Sequence, residues 1–186
     1  MEQGTINAGD LRLRPFRVDD IRWVYEVSLD PEVQRFLQIP IPYRLADADH
    51  FVREMAIAAW DRGQRAEFLV EADDVRLGRV GLGLAGSNAA QIGYWLDPAA
   101  RGRGVATAAV RALCGWGFER LGLGLIEWRA EVGNTASRRV ADRAGFRFEA
   151  TLRQRLVHRG VRVDAWIGSL LPGEFASSEE SPTRPS

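Results

Sequence analysis

The chain has no lysine: its 25 basic residues are all arginine, and 25 acidic residues bring the formal charge to zero. Chemistry that needs a lysine amine, such as Schiff-base formation, is therefore excluded. The overall balance also offers no electrostatic case for binding nucleic acid or an anionic membrane. Cysteine is nearly absent as well. Cys114 stands alone, so no intrachain disulfide can form. Set in a predicted helix among apolar residues, it reads as a buried thiol and not as a nucleophile. No apolar run reaches the ~18 residues of a membrane span, and the opening MEQGTINAGD lacks the basic and apolar regions of a signal peptide. The expectation is a cytoplasmic protein with no metal.

What remains fits one domain: 186 residues, 46% hydrophobic and 27% charged. Leu11 and Leu13 alternate with Arg12 and Arg14 in a first strand. Asp19 or Asp20 then caps a helix carrying Ile21, Trp23, Val24 and Val27. Pro31 begins a short helix, PEVQRFL, and Asp47 is a candidate cap for another that ends near Gly63. Strands are expected over 68–71, 79–84 and 90–96, a helix over about 104–121, and a strand over 125–132. A short helix from Asn134 to Arg143 and two closing strands complete the order β-α-α-β-β-β-α-β-α-β-β. A meander in the middle joined to crossover helices implies an α+β fold with one mixed, mostly antiparallel sheet and helices on both faces. The strand–helix–strand unit at its centre should be a right-handed parallel crossover. Residues 1–10 are expected to be a flexible start, 11–174 the domain, and 175–186 a disordered tail.

The crossover carries the informative stretch, QIGYWLDPAARGRGVAT, from Gln91 to Thr107. A strand ends at Asp97-Pro98, and a loop with Gly102 and Gly104 opens directly into a helix. Glycines at a helix mouth let the backbone approach a ligand, and the free amides with the helix dipole suit phosphate. The dinucleotide fingerprint GxGxxG competes for this loop, but its third glycine would be Thr107. That fingerprint also belongs to the first strand–helix turn of its sheet, whereas four predicted strands precede this one. A purely structural glycine turn is the plainer alternative.

The run Arg101-Gly102-Arg103-Gly104-Val105-Ala106 matches [RQ]-x-x-G-x-[GA], and so resembles the acyl-CoA loop of the GCN5-related N-acetyltransferases (GNAT). IGYWLDPAARGRGVAT, GNTASRRVADRAGF, HRGVRVDAWIGSLLPGEF and LRLRPFRVDD together resemble the branch of ribosomal-protein N-terminal acetyltransferases, the RimJ/RimL-like proteins. They cover nearly all of residues 11–174. The resemblance implies about seven strands, splayed between the central parallel pair, and acetyl-CoA as co-substrate. Its pyrophosphate would lie on the amides from Arg103 to Thr107. Its pantetheine arm would pair with the backbone of Trp95, Leu96 and Asp97. Arg101 and Arg103 add charge there or form a solvated face, and Arg138 or Arg139 would reach the ribose phosphate.

Asn134 reads as a helix cap; the resemblance adds contact with the CoA arm. Ser137, one turn on, becomes a donor to the departing thiolate, in place of a tyrosine that many relatives carry where this chain has Ala141. The acid that many relatives place before the Ile-Gly pair is Gln91 here. Glu131 is then the nearest carboxylate for a general base, with Asp164, Glu149 and His158 as other candidates, His158 read as a hairpin-surface residue. Of the six tryptophans most read as packing, with Trp95 and Trp128 flanking the cleft. The Ile39–Tyr43 loop is expected to wall the acceptor site. The implied reaction is direct attack of a primary amine on acetyl-CoA. The acceptor is a protein N-terminal α-amine or a small-molecule amine, and the resemblance permits a homodimer. The rival readings are a catalytically silent acyl-CoA-binding module and an enzyme for a longer acyl chain.

Overall fold

Eight strands form one sheet in the order β1-β2-β3-β4-β5-β6-β8-β7. The computed structural model describes residues 4–84, 86 and 88–179. Along the chain they run β1 (Ile6–Ala8), β2 (Leu11–Pro15), α1 (Ile21–Ser28), α2 (Pro31–Phe36) and α3 (Leu45–His50). A π-helical segment, Phe51–Ala58, continues α3 into α4 (Ala59–Asp61). There follow β3 (Arg65–Ala72), β4 (Val75–Leu84), β5 (Ala89–Leu96), α5 (Val105–Leu121), β6 (Leu125–Glu131), α6 (Thr135–Ala144), β7 (Arg147–His158), β8 (Val161–Leu170) and α7 (Pro172–Glu179). Every neighbouring pair is antiparallel except β5 and β6, which are parallel and joined across α5.

Strand alternation divides the core between the two faces of the sheet. Phe68 and Val70 of β3 join α5 and α6 in the larger cluster, with Val110, Leu113, Cys114 and Ala141. Leu69, between them, joins Phe16, Val24, Tyr43, Val52 and Ala56 under α1 and α3. Cys114 is fully buried, and burial pushes its thiol up, as its apolar setting implied. Two glycines inside α5 are explained by close packing: a Cβ on Gly115 would stand 3.2 Å from the Phe175 ring, and one on Gly117 3.1 Å from Leu82 and Leu123.

Three expectations need correction. Residues 1–10 are not a loose start throughout, because β1 pairs Ile6 with Leu13 and raises the strand count from about seven to eight. The tail does not begin at 175: α7 reaches Glu179, and the Phe175 ring lies 5.7 Å from that of Phe118. The remainder of that expected tail, 180–186, lies outside the described residues. Asp47 does not cap from outside its helix. It sits in the first turn of α3 and accepts the Arg44 N–H at 2.7 Å. No helix among the described residues is long and apolar enough to cross a membrane.

Candidate active site

The parallel pair comes apart halfway along. β5 and β6 are in register from Ala89↔Leu125 to Ile92↔Trp128, and the pairing stops there. β5 runs on to Leu96 beside β4, while β6 follows β8 as far as Glu131↔Ala165. From Gly93 to Leu96, β5 therefore has no strand on its β6 side, and its backbone groups on that edge need partners from elsewhere. The gap opens into a cleft of about 390 Å³, lined by both strands, by α2 and by α6.

At the end of β5, Asp97 accepts the Ala99 N–H at 2.9 Å and turns the chain. Gly102 and Gly104 then adopt left-handed φ of 75° and 79°, and a Cβ on either would meet nothing within 4 Å. Backbone geometry, not crowding, is what asks for glycine at these positions. Gly104 is the N-cap of α5 and its carbonyl accepts from Ala108 at 3.1 Å. The amides of Val105, Ala106 and Thr107 precede that first bond and point out of the helix end. A 17-residue helix thus places its positive end beside the open strand edge.

Ser137 sits across the split in a closed network. Asn134 caps α6 by accepting the Ser137 N–H at 3.1 Å. Trp128 Nε1 donates to Ser137 Oγ at 3.0 Å. Tyr94 Oη lies 2.9 Å from the Ser137 carbonyl oxygen and 3.0 Å from Ser137 Oγ. Tyr94 has one proton; when the carbonyl receives it, the Ser137 hydroxyl donates to Tyr94 Oη. Burial pushes the Tyr94 phenol up to about 12, against the opposing bonds from Ser137 and Trp128. Tyr94 is a cleft-lining residue that the sequence reading did not single out.

On the opposite wall, Glu131 Oε2 and His158 Nδ1 are 2.6 Å apart. His158 is therefore no hairpin-surface residue: its side chain is only 14% exposed and it lines the cleft. Its Nδ1 is the nitrogen that faces the carboxylate, and its Nε2 is buried with no hydrogen-bond partner among the described residues. A bulge before Leu156 brings this end of β7 inward. Asp164 holds that bulge by accepting the Gln154 N–H at 2.8 Å, and Glu149 accepts from Ser169 Oγ at 2.6 Å. Both acids are exposed and line no part of the cleft.

Two arginines engage elsewhere than a phosphate. Arg101 reaches Asp30 at 2.5 Å and Glu32 at 3.1 Å, tying the glycine loop to the start of α2. Arg138 pairs with Asp142 at 2.9 Å and stacks 4.0 Å above the Phe148 ring. Arg103 and Arg139 are exposed, with no ion-pair partner among the described residues. The expected acceptor wall also shifts. Tyr43 is buried in the second core, and the cleft is walled instead by Val33, Phe36, Leu37 and Gln38. Arg159 fixes the far end of α2 by donating to the Gln34 carbonyl at 2.7 Å. Trp95 and Trp128 both line the cleft, Trp95 with its ring 5.3 Å from that of Trp23 and Trp128 almost fully buried.

Comparison with known proteins gives concordant results. The family model described as an acetyltransferase (GNAT) domain matches residues 10–147. The chain is 28% identical over 178 residues to the uncharacterized N-acetyltransferase p20 of Bacillus licheniformis, covering 92% of this chain and 98% of that protein. It is 41% identical over 86 residues to the putative ribosomal N-acetyltransferase YdaF of Bacillus subtilis (strain 168), a match spanning 46% of this chain and 47% of that one. Among solved structures, Mycobacterium smegmatis RimJ in complex with CoA-disulfide superposes with a TM-score of 0.81 at 25% identity. That match covers 92% of this chain and 88% of the solved one.

Proposed function

This chain belongs to the acetyltransferase (GNAT) domain family, and on that premise we propose that it moves the acetyl group of acetyl-CoA to a primary amine by direct attack in a ternary complex. One observation carries the reading: the parallel pair opens at Ile92 and Trp128 with the positive end of α5 at the mouth of the gap. An open strand edge suits the amides of a pantetheine arm, and left-handed glycines with free helix amides suit a pyrophosphate. Bound there, acetyl-CoA supplies an activated acyl carbon with a thiolate leaving group. The fit rests on Trp95, Leu96 and Asp97 for the arm and on Gly102 to Thr107 for the phosphates. Asn134 lies at the reacting end.

The chain's own groups then divide the proton work. Glu131, partly exposed to the cleft and oriented by the His158 Nδ1–H, takes the proton from the acceptor ammonium. Ser137 gives its proton to the departing sulfur and Tyr94 replaces it; the second proton that nitrogen loses on forming the amide restores this network, leaving one released proton on Glu131. The high pKa of Tyr94 keeps that reserve proton in place across the working range. Arg138 is not assigned to the cofactor, because Asp142 and the Phe148 face already hold it.

For the acceptor, the motif resemblance favours a protein N-terminal α-amine, in keeping with the similar YdaF being named a putative ribosomal N-acetyltransferase, and a small-molecule amine is the alternative. Gln91 and Ala141 favour a second reading, a silent acyl-CoA-binding module. Amine-dependent CoA release across N-terminal peptides and small amines separates the two. Release only with an acceptor supports transfer, and tight acetyl-CoA binding without release supports the silent module.

A further inference from the structure

Glu67 and Arg79 are charged residues buried in the middle of β3 and β4. The registers Arg65↔Gly83↔Gln91, Glu67↔Gly81↔Gly93 and Leu69↔Arg79↔Trp95 put them on one face of the sheet, under α1 and α3. The Glu67 side chain is 0% exposed and that of Arg79 is 9% exposed. Two glycines provide their room. A Cβ on Gly81 would collide with the Glu67 carboxylate, and one on Gly93 would stand 3.0 Å from Arg79 Nη1. The guanidinium therefore lies across β5 just where β6 leaves it.

Glu67 holds that guanidinium by two bonds, from Nε at 2.6 Å and from Nη2 at 2.5 Å, and it also accepts from Arg65 Nε at 2.8 Å. Arg79 Nη1 has no acceptor among the described residues, and Arg79 lines the cleft. Two guanidiniums against one carboxylate leave this cluster a formal surplus of one positive charge. Across the cleft stands Glu131, with His158 Nδ1 2.6 Å from its carboxylate. The cleft thus offers the Arg79 guanidinium on its β4–β5 side and, on its β6 side, the Glu131 carboxylate beside an Arg129 that Glu127 already holds. A buried ion pair is no more stable than apolar residues of the same volume, so stability alone does not account for it. An unpartnered guanidinium nitrogen facing a binding cleft is accounted for by an anionic group on the ligand.

We propose that Arg79, held rigid by Glu67, selects acceptor amines that carry a carboxylate close to the amine. The assignment rests on the acyltransferase reading of this cleft. The ammonium faces Glu131 and the carboxylate takes Arg79 Nη1. Two kinds of acceptor share that chemistry: a peptide whose first residue is aspartate or glutamate, and a free amino acid, whose own α-carboxylate stands beside its amine. An acceptor with an amide in the carboxylate's place leaves the guanidinium unpaired, which should lower kcat/KM by roughly tenfold to a hundredfold.

The test compares Asp- with Asn-initiated peptides, and free alanine with alaninamide, by acetyl-CoA turnover. The proteins are the wild type, Arg79→Met, and the double variant Glu67→Gln/Arg79→Met, which leaves no buried charge unpaired. The expected result is a preference for the acid of tenfold or more in the wild type, absent from the double variant, with acetyl-CoA affinity unchanged. Equal kcat/KM for acid and amide in the wild type, or a preference that survives in the double variant, overturns the proposal. A binding arm needs no turnover: N-acetyl-aspartyl and N-acetyl-asparaginyl peptides are titrated into the CoA-saturated protein. Tighter binding of the acid, lost in the double variant, supports the role of Arg79, and equal binding overturns it. Failure of the acyltransferase reading would show separately, as absence of turnover with every amine.

Discussion

Tyr94 Oη and Ser137 Oγ stand 3.0 Å apart across the gap between β5 and α6, although 43 residues separate them in the chain. The contact joins the strand that would hold the cofactor arm to the helix that would release the thiol. It gives the serine a proton source within a partly buried network.

That network predicts two different losses. Ser137→Ala removes the group nearest the sulfur and should lower kcat about 100-fold, a typical contribution of general acid catalysis. Tyr94→Phe keeps the ring and removes only the reserve proton, so its loss should be smaller. Acetyl-CoA affinity, measured by calorimetry, should stay within about twofold in both. Wild-type turnover by Ser137→Ala would remove the serine from the mechanism.

Gly104→Val tests the phosphate cradle. Its φ of 79° is a conformation that a β-branched residue rarely adopts, so the loop must rearrange at the mouth of α5. Acetyl-CoA binding should weaken by roughly tenfold or more, with far-UV circular dichroism unchanged. Unaltered affinity would refute the cradle.

Glu131→Gln keeps the shape of the side chain facing His158 and removes the basic oxygen. Turnover with an amine acceptor at neutral pH should fall by about 100-fold. Raising the pH should recover part of it, because more of the acceptor is then already deprotonated. An unchanged rate at neutral pH would mean that the acceptor loses its proton to solvent.

Asp20 supports the fold away from the cleft. It is fully buried, with Arg14 Nη1 and Nη2 both at 2.8 Å, Arg76 Nε at 2.8 Å and the Arg17 N–H at 2.8 Å. Burial alone would raise its pKa, but these bonds outweigh burial and lower it. Below the ordinary carboxylate pKa the unfolded chain takes up the proton first, so the folded state loses this stabilisation as pH falls through the lowered value. Asp20→Asn should therefore cost about 3–5 kcal/mol in urea unfolding at pH 7. The gap to the wild type should narrow in acid; a constant gap would contradict the assignment.

Local pattern explains what could be read in advance. Gly102 and Gly104 before an apolar-periodic helix announce a left-handed turn with free amides at a helix mouth, because both are properties of adjacent residues. The alternation through β3 to β5 likewise announces a meander. What stayed hidden depends on contacts distant in sequence. β1 is too short for its alternation to stand out, and it becomes a strand by pairing with β2. Arg138 resembles a phosphate ligand until Phe148 and Trp166 are brought beneath it. His158 reads as a hairpin residue because only the bulge held by Asp164 turns it inward. Glu67 and Arg79 do not stand out in the sequence because β3 and β4 carry other charged residues, and only the sheet register shows which of them lie under the cleft.

The central claim is acetyl transfer to an amine, and mass spectrometry of the acceptor tests it most directly. N-terminal peptides and small amines are incubated with the protein and acetyl-CoA, with Gly104→Val as the control. The account predicts a gain of one acetyl group on the acceptor's primary amine, matched by an equal amount of free CoA and lost in the control. Tight acetyl-CoA binding with no acetylated acceptor across the panel would contradict it.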